Sequence, residues 1–305
     1  MRIFITDKPS SFTDDQLSLL RSKGEITFIE TSEDWKNNKE IYSSDEKVIA
    51  LGPDVPEWKF SNELVDKIPN LKGVCLPTTG FGWIDGEHLR KKDIVLSNVP
   101  KYSTEAVAEH CIMLMLALSK NLIMVINNNW TLDFANHLGK EIKGKRMGII
   151  GLGAIGMRVA ELGKGMDMEV CYWSRASKDE RFEYLELDEL LKSSDYVFLT
   201  LAHNTDTLNF LNKERLYLMK NDAYVVNITG NELWDFKYAI EKVRNKSLAG
   251  IGMDGEKDSI KNYGCNVLVT PSMAWYTKEA LEEDTRIWVE SVVSLIDGKP
   301  INVVN

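Results

Sequence analysis

Short apolar runs punctuate the first third of the chain: "RIFIT" (2–6), "ITFIE" (26–30), "KVIALG" (47–52), "LKGVCLP" (71–77) and "DIVLSN" (93–98). Longer stretches with helical spacing separate them, so the runs read as strands of parallel βαβ units. A second series follows: "RMGIIG" (146–151), "EVCYWS" (169–174), "DYVFLTL" (195–201), "AYVVNIT" (223–229), "SLAGIGMD" (247–254) and "NVLVTP" (266–271). Six short strands with helices between them match a doubly wound nucleotide-binding sheet.

Between the two series, "STEAVAEHCIMLMLALSKNLIMVINNNW" predicts one helix that Ser103 or Thr104 can cap, apolar on nearly every face as far as Ile126. A helix of that composition is expected to be buried, connecting two domains or lying in a dimer interface. The last helical pattern, 277–299, and the tail "PINVVN" come after the final strand and can pack back on the first domain. The expected fold class is α/β, with two Rossmann-like or flavodoxin-like domains built on doubly wound parallel sheets. Their expected bounds are 1–100 plus 273–305, discontinuous in sequence, and 101–272.

Length agrees, since 305 residues exceed the usual size of a single core. With 37 basic against 46 acidic residues the net charge is -9, which argues against nucleic acid or an anionic membrane as partner. The start "MRIFITDKPSS" lacks the apolar core of a signal peptide and no apolar run approaches a membrane span, so a cytoplasmic protein is expected. Cysteines 75, 111, 171 and 265 form no CxxC pair and have no histidine at ligand spacing, so buried inert thiols are expected, with no metal site.

The clearest chemistry is "GLGAIG", directly after one strand and opening the helix "AIGMRVAELGKGM". Gly151 permits a tight turn, Gly153 removes a side chain that would block a pyrophosphate, and Gly156 lets helix and strand pack closely. Ala154 and Ile155 open the helix, whose N-terminus then faces the phosphates with free amides and the positive end of its dipole. Where a carboxylate for an NAD ribose is expected, the chain reads "WSRASK". Ser174, Arg175 and Lys178 suit a 2'-phosphate, so NADP(H) is favoured over NAD(H). Thr229 and Asp254, at two later strand ends, complete the expected cofactor set.

Beyond these motifs the chain resembles the D-isomer-specific 2-hydroxyacid dehydrogenase family over nearly its whole length. The resemblance rests on "TTGFGWID" (78–85), "NVPKYSTEAVAEH" (98–110), "KGKRMGIIGLGAIG" (143–156), "HNTDTLNFLNKERLYLMK" (203–220) and "GKPINVVN" (298–305). It implies a substrate domain from the first hundred residues plus the C-terminal segment, a dinucleotide domain between, a cleft separating them, and homodimerisation through the dinucleotide domain. It also implies that the turn at Thr79, Gly80 and Phe81 offers backbone amides to a small substrate.

Enzymes of that family use an arginine, a glutamate and a histidine, and each position departs from the pattern here. Gly230 in "NITGN" stands where the arginine is expected, and Ser272 in "TPSMAWYT" stands for the histidine. Ser259 takes the glutamate position by ungapped count, unless the loop brings Glu256 there. A serine hydroxyl has no useful acidity near neutral pH, and a glycine cannot clamp a carboxylate. Tyr276, with Lys101 lowering its pKa, is a candidate substitute acid, or Trp275 and Tyr276 simply pack a domain junction. His110 and His203 read as structural. Two functions compete: an NAD(P)-dependent oxidoreductase moving hydride to a small carbonyl or 2-keto compound with an atypical site, and a non-catalytic NADP-binding sensor or partner subunit.

Overall fold

The computed structural model describes residues 1–255 and 257–305. It divides into two compact units, Met1–Tyr102 with Lys278–Asn305, and Ser103–Thr277. Both passages fall in the last loop residue before a helix, so each helix stays whole within one unit. The bounds expected from sequence lie a few residues earlier.

The first unit alternates β1 (Arg2–Ile5), α1 (Asp14–Lys23), β2 (Glu25–Phe28), α2 (Ser32–Asn37), β3 (Lys47–Ala50), α3 (Asn62–Lys67), β4 (Leu71–Cys75), α4 (Gly86–Lys91) and β5 (Val95–Ser97). Its strands pair in parallel in the order β2-β1-β3-β4-β5. Helix starts follow local chemistry: Thr13 and Gln16 form a reciprocal capping box on α1, while Thr31, Ser61 and Asp85 accept amide protons at the next three. The C-terminal helix (Lys278–Ile296) docks on the same sheet, its Trp288 Nε1 donating to the Cys75 carbonyl at 2.8 Å. The tail then bridges Val303 antiparallel to Ser97. Segment 278–305 therefore completes the core that the first hundred residues begin.

The second unit runs α5 (Thr104–Ser119), α6 (Leu122–Asn127), β6 (Arg146–Ile150), α7 (Ala154–Gly165), β7 (Glu169–Trp173), β8 (Glu183–Tyr184), α8 (Leu187–Ser193), β9 (Tyr196–Leu199), α9 (Lys213–Leu218), β10 (Tyr224–Asn227), α10 (Phe236–Arg244), β11 (Gly250–Gly255) and β12 (Val267–Pro271). The parallel order is β12-β11-β10-β9-β6-β7-β8, which reverses direction between β9 and β6. That reversal is the switch point at which open α/β sheets bind ligands.

Four local expectations need correction. The single helix 103–126 is two, because Asn121 adopts a left-handed conformation (φ 50°) and restarts the chain as α6. Burial holds for α5 but not for α6, which has no buried residue. At the start of α5, the Ser103 side chain makes no capping hydrogen bond. The two-residue edge strand β8 adds a seventh strand that its two exposed residues did not advertise. All four cysteines are buried and free, as expected. Among the described residues, no helix is long and apolar enough to cross a membrane and no cluster of side chains could hold a metal ion.

The docking of the C-terminal helix depends on Gly73, where an added Cβ would lie 2.2 Å from Leu295 Cδ1 and 2.9 Å from the Val95 carbonyl oxygen. Gly73→Val should destabilise the first unit by about 1–3 kcal/mol through overpacking. Thermal unfolding of the variant checks this, since an unchanged melting curve would mean that the helix does not pack there.

Candidate functional site

In the second unit the glycine turn has the geometry its sequence requires. Gly151 has φ +102°, which a side chain would strain. An added Cβ on Gly153 would meet nothing within 4 Å, so the turn faces open space. On Gly156 a Cβ would lie 2.1 Å from the Gly151 carbonyl oxygen and 2.6 Å from Thr200 Oγ1. Thr200 donates to that same Gly151 oxygen at 2.7 Å and thereby ties the end of β9 to the turn. The first-turn amides of α7 have no partners within the helix. These features fit a dinucleotide pyrophosphate, because an uncapped helix start and a side-chain-free approach coincide at the sheet's switch point.

The chain next to the turn emerges from β7. Ser174 Oγ accepts from the Ser177 amide at 3.2 Å, which shapes the loop that carries Arg175. Arg175 is ion-paired with Asp206 at 3.1 Å, and both side chains are largely exposed. Lys178 is exposed and makes no ion pair among the described residues. Asp206 was not singled out from sequence. Its signal was topological: β7 and β9 flank β6, so acids in the turn after β9 face the loop after β7.

At the end of β10, Asn227 organises the turn. Its Oδ1 accepts from the Thr229 amide (2.9 Å) and hydroxyl (2.8 Å), and its Nδ2 donates to the Gly230 carbonyl (2.8 Å). Gly230 has φ +112°, a conformation that disfavours any side chain. An arginine placed there would therefore be strained as well as new. The next residue, Asn231, donates from Nδ2 to Ser259 Oγ at 3.2 Å, while its buried Oδ1 has no partner among the described residues. Ser259 is thus tied, through a neutral pair, to the residue that follows Gly230. Glu256, the alternative to Ser259, lies outside the described residues.

At β11 and β12, Asp254 anchors the loop that carries Ser272. Its Oδ1 accepts from Thr270 Oγ1 (2.8 Å) and the Met273 amide (3.1 Å), and its Oδ2 from the Ala274 amide (3.0 Å). His110 of α5 stands behind this group, with Nε2 2.9 Å from Thr270 Oγ1 and 3.7 Å from Asp254 Oδ1. Burial lowers the His110 pKa and the Asp254 charge opposes that shift. Sequence reasoning assigned His110 a structural place but missed this linkage. Ser272 is exposed at the loop's start, and Tyr276 is 63% exposed with its ring edge-on to Trp275 at 5.3 Å. His203 is exposed in the turn after β9.

The remaining candidates lie in the first unit. Asn98 Nδ2 donates to the Thr79 carbonyl and Thr79 Oγ1 to the Val99 carbonyl, each at 2.8 Å, which fixes the turn after β4. The amides of Thr79 and Gly80 donate to no group among the described residues, and Phe81 is half-buried. Lys101 is exposed and left-handed (φ 62°) in the loop that leads out of this unit.

Residues 112–274 match the sequence model of the family described as D-isomer specific 2-hydroxyacid dehydrogenase, NAD binding domain. A glyoxylate reductase of Pyrococcus furiosus is 30% identical over 330 aligned positions, covering 100% of this chain and 95% of the relative. A Staphylococcus aureus protein named "putative 2-hydroxyacid dehydrogenase" is also 30% identical, over 80% of this chain and 82% of its own. The solved structure of an acyclic imino acid reductase in complex with NADPH and D-Arg superposes with a TM-score of 0.83 at 28% identity, covering 100% of both chains.

The glycines separate packing from access. Gly156→Val should destabilise the second unit by about 1–3 kcal/mol, whereas Gly153→Val should cost less than about 1 kcal/mol, the loss of a favourable helix N-cap residue alone. Denaturant titration of both variants tests the assignment, and equal destabilisation would refute it.

Proposed function

The chain belongs to the D-isomer specific 2-hydroxyacid dehydrogenase family, and from that premise we propose that it is a nicotinamide-dependent reductase with an altered proton-handling site, acting on a small C=N or C=O compound. The carrying observation is the glycine turn, where Gly151 is strained for any other residue, Gly156 admits no Cβ and Gly153 faces open space. In this reading Gly153, Ala154 and Ile155 receive the pyrophosphate. Ser174, Arg175 and Lys178 take a 2'-phosphate, which makes NADPH the preferred cofactor, and Thr229 and Asp254 flank the nicotinamide end. The bound cofactor supplies the hydride.

The chain's own contribution is unusual. On the proposed correspondence Gly230, Ser259 and Ser272 replace the arginine, glutamate and histidine of the family, leaving neither a fixed cation nor a titrating imidazole. A carbonyl needs a positioned acid as its oxygen becomes an alkoxide, and such an acid contributes about 10²–10⁴ in rate. An iminium carbon accepts hydride without that help, because the nitrogen is already protonated and the product is a neutral amine. We therefore read the substrate as an imine of a small keto acid. The structural likeness to an NADPH-bound imino acid reductase supports this reading. Thr79, Gly80 and Phe81 are proposed to meet the substrate, the first two through their open amides. The Ser272 hydroxyl offers a hydrogen bond rather than a mobile proton. Tyr276 is the proposed acid should carbonyls be reduced as well.

NADPH oxidation measured with pyruvate or glyoxylate, each with and without methylamine, is the test. Amine should raise the rate by at least about tenfold, since only the imine bypasses the missing acid. Tyr276→Phe should then slow the reaction by less than about threefold, whereas a loss of about 10²–10⁴ would make Tyr276 the proton donor and overturn the imine reading. The joint replacement of three catalytic groups favours a second reading, a binding protein without turnover. Tight NADPH binding with no oxidation across the panel would identify it.

We also propose a homodimer formed through the dinucleotide unit. Helix α6 has no fully buried residue, and the segment after it exposes Trp130, Leu132, Phe134 (87%) and Leu138 (82%), large apolar side chains close together in sequence of the kind that mark interaction surfaces. Light scattering should give twice the chain mass, and Phe134→Glu with Leu138→Glu should shift the protein toward monomer. A monomeric parent chain would refute the dimer.

A further inference from the structure

Arg175 and Asp206 form an ion pair between two loops that share no local sequence. Arg175 follows β7 and Asp206 lies in the turn after β9, so the pair links the two strand ends that flank β6 and its glycine turn. Neither loop needs the pair for its own shape. The turn around Asp206 is held by Asn204, whose Oδ1 accepts from the Asp206 amide (3.0 Å), and by Thr207 Oγ1, which accepts from the Asn204 amide (2.9 Å) and donates to the Ala202 carbonyl (2.7 Å). The loop of Arg175 is shaped by Ser174. The only hydrogen bond or ion pair that the Asp206 carboxylate makes among the described residues is with this guanidinium.

An exposed ion pair contributes little net stability, so it can be exchanged for a better partner. A phosphate is such a partner, because a guanidinium binds it in a charge-assisted, bidentate fashion. A 2'-phosphate that recruits Arg175 must displace the Asp206 carboxylate and then sit near its negative charge. A ribose 2'-hydroxyl suffers no such repulsion. We propose that Asp206 is a specificity-determining residue for the cofactor: by occupying Arg175 it lowers the affinity for NADPH relative to NADH and so sets the ratio between the two. This rests on the reading of the chain as a nicotinamide-dinucleotide-binding protein, with Arg175 at the 2'-phosphate.

Equilibrium binding separates the two claims without any turnover. NADPH, NADH, adenosine 2',5'-bisphosphate and adenosine 5'-monophosphate are titrated into the full chain and into Asp206→Asn and Arg175→Gln, with melting temperature as the fold control. Asp206→Asn should tighten NADPH and the bisphosphate by about two- to tenfold, leave NADH and the monophosphate within about twofold, and lose most of this gain in high salt. Arg175→Gln should weaken the two 2'-phosphorylated ligands by at least about tenfold and spare the others. Unchanged or weaker NADPH binding by Asp206→Asn, or an equal shift for NADH, would overturn the role of Asp206 while leaving the dinucleotide reading intact. Failure of the unaltered chain to bind any of the four would overturn both.

Discussion

The approach of α7 to the end of β6 is the constraint on which the second unit's candidate site depends. With no room for a Cβ at Gly156, the helix starts directly against the strand, and its free amides are delivered to the sheet's carboxyl edge. Thr200 adds a second tie by donating to the Gly151 carbonyl oxygen from the neighbouring strand end. Parallel pairing does the rest. Because all seven strands of this sheet run the same way, Ser174, Thr229, Gly230, Asp254 and Ser272 all emerge at that one edge.

A different interaction governs the far side of this edge. One carboxylate, Asp254, holds the Ser272 loop through two amides and is itself backed by Thr270 and His110. The carboxylate and the imidazole are each only 8% exposed, so the carboxylate's charge is balanced by hydrogen-bond donors rather than by water. Burial favours the neutral imidazole, which leaves the Asp254 oxygens to the loop amides. The loop is thus positioned from behind, by a helix that also packs under β10 and β11. Asp254 and the two groups behind it consequently decide where Ser272 stands.

Much of this was readable in advance because it depends on short-range pattern. The parallel strands, the glycine turn and the return of the C-terminal helix each follow from period, turn chemistry or chain order. What was not readable depends on partners distant in sequence. The break at Asn121 interrupts a run whose apolar pattern continues without pause, and the left-handed residue carries no stronger signal than any other asparagine. The edge strand at Glu183–Tyr184 exists only because β7 is beside it. The pairings of Asn231 with Ser259 and of Arg175 with Asp206 bridge 28 and 31 residues, and only the folded sheet brings them together.

On the proposed correspondence, the three replacements make one physical change rather than three losses. A histidine and glutamate that exchange a proton at a strand end must be kept partly desolvated, and an arginine clamp adds a third charge to the same space. Such charges cost free energy unless each finds its counterpart. Once a substrate arrives with its own proton, the histidine has nothing to deliver and the glutamate has no imidazolium to balance. Neutral groups then serve better: Asn231 donates to Ser259, and the buried Asn231 oxygen, without a partner among the described residues, is an acceptor suited to an N–H rather than to a carboxylate. The glycine turn is untouched by that exchange because its demands are steric and dipolar, set by the dinucleotide and not by the substrate. Retention of the turn alongside loss of the charges is therefore what a change of substrate chemistry on a constant cofactor would leave behind.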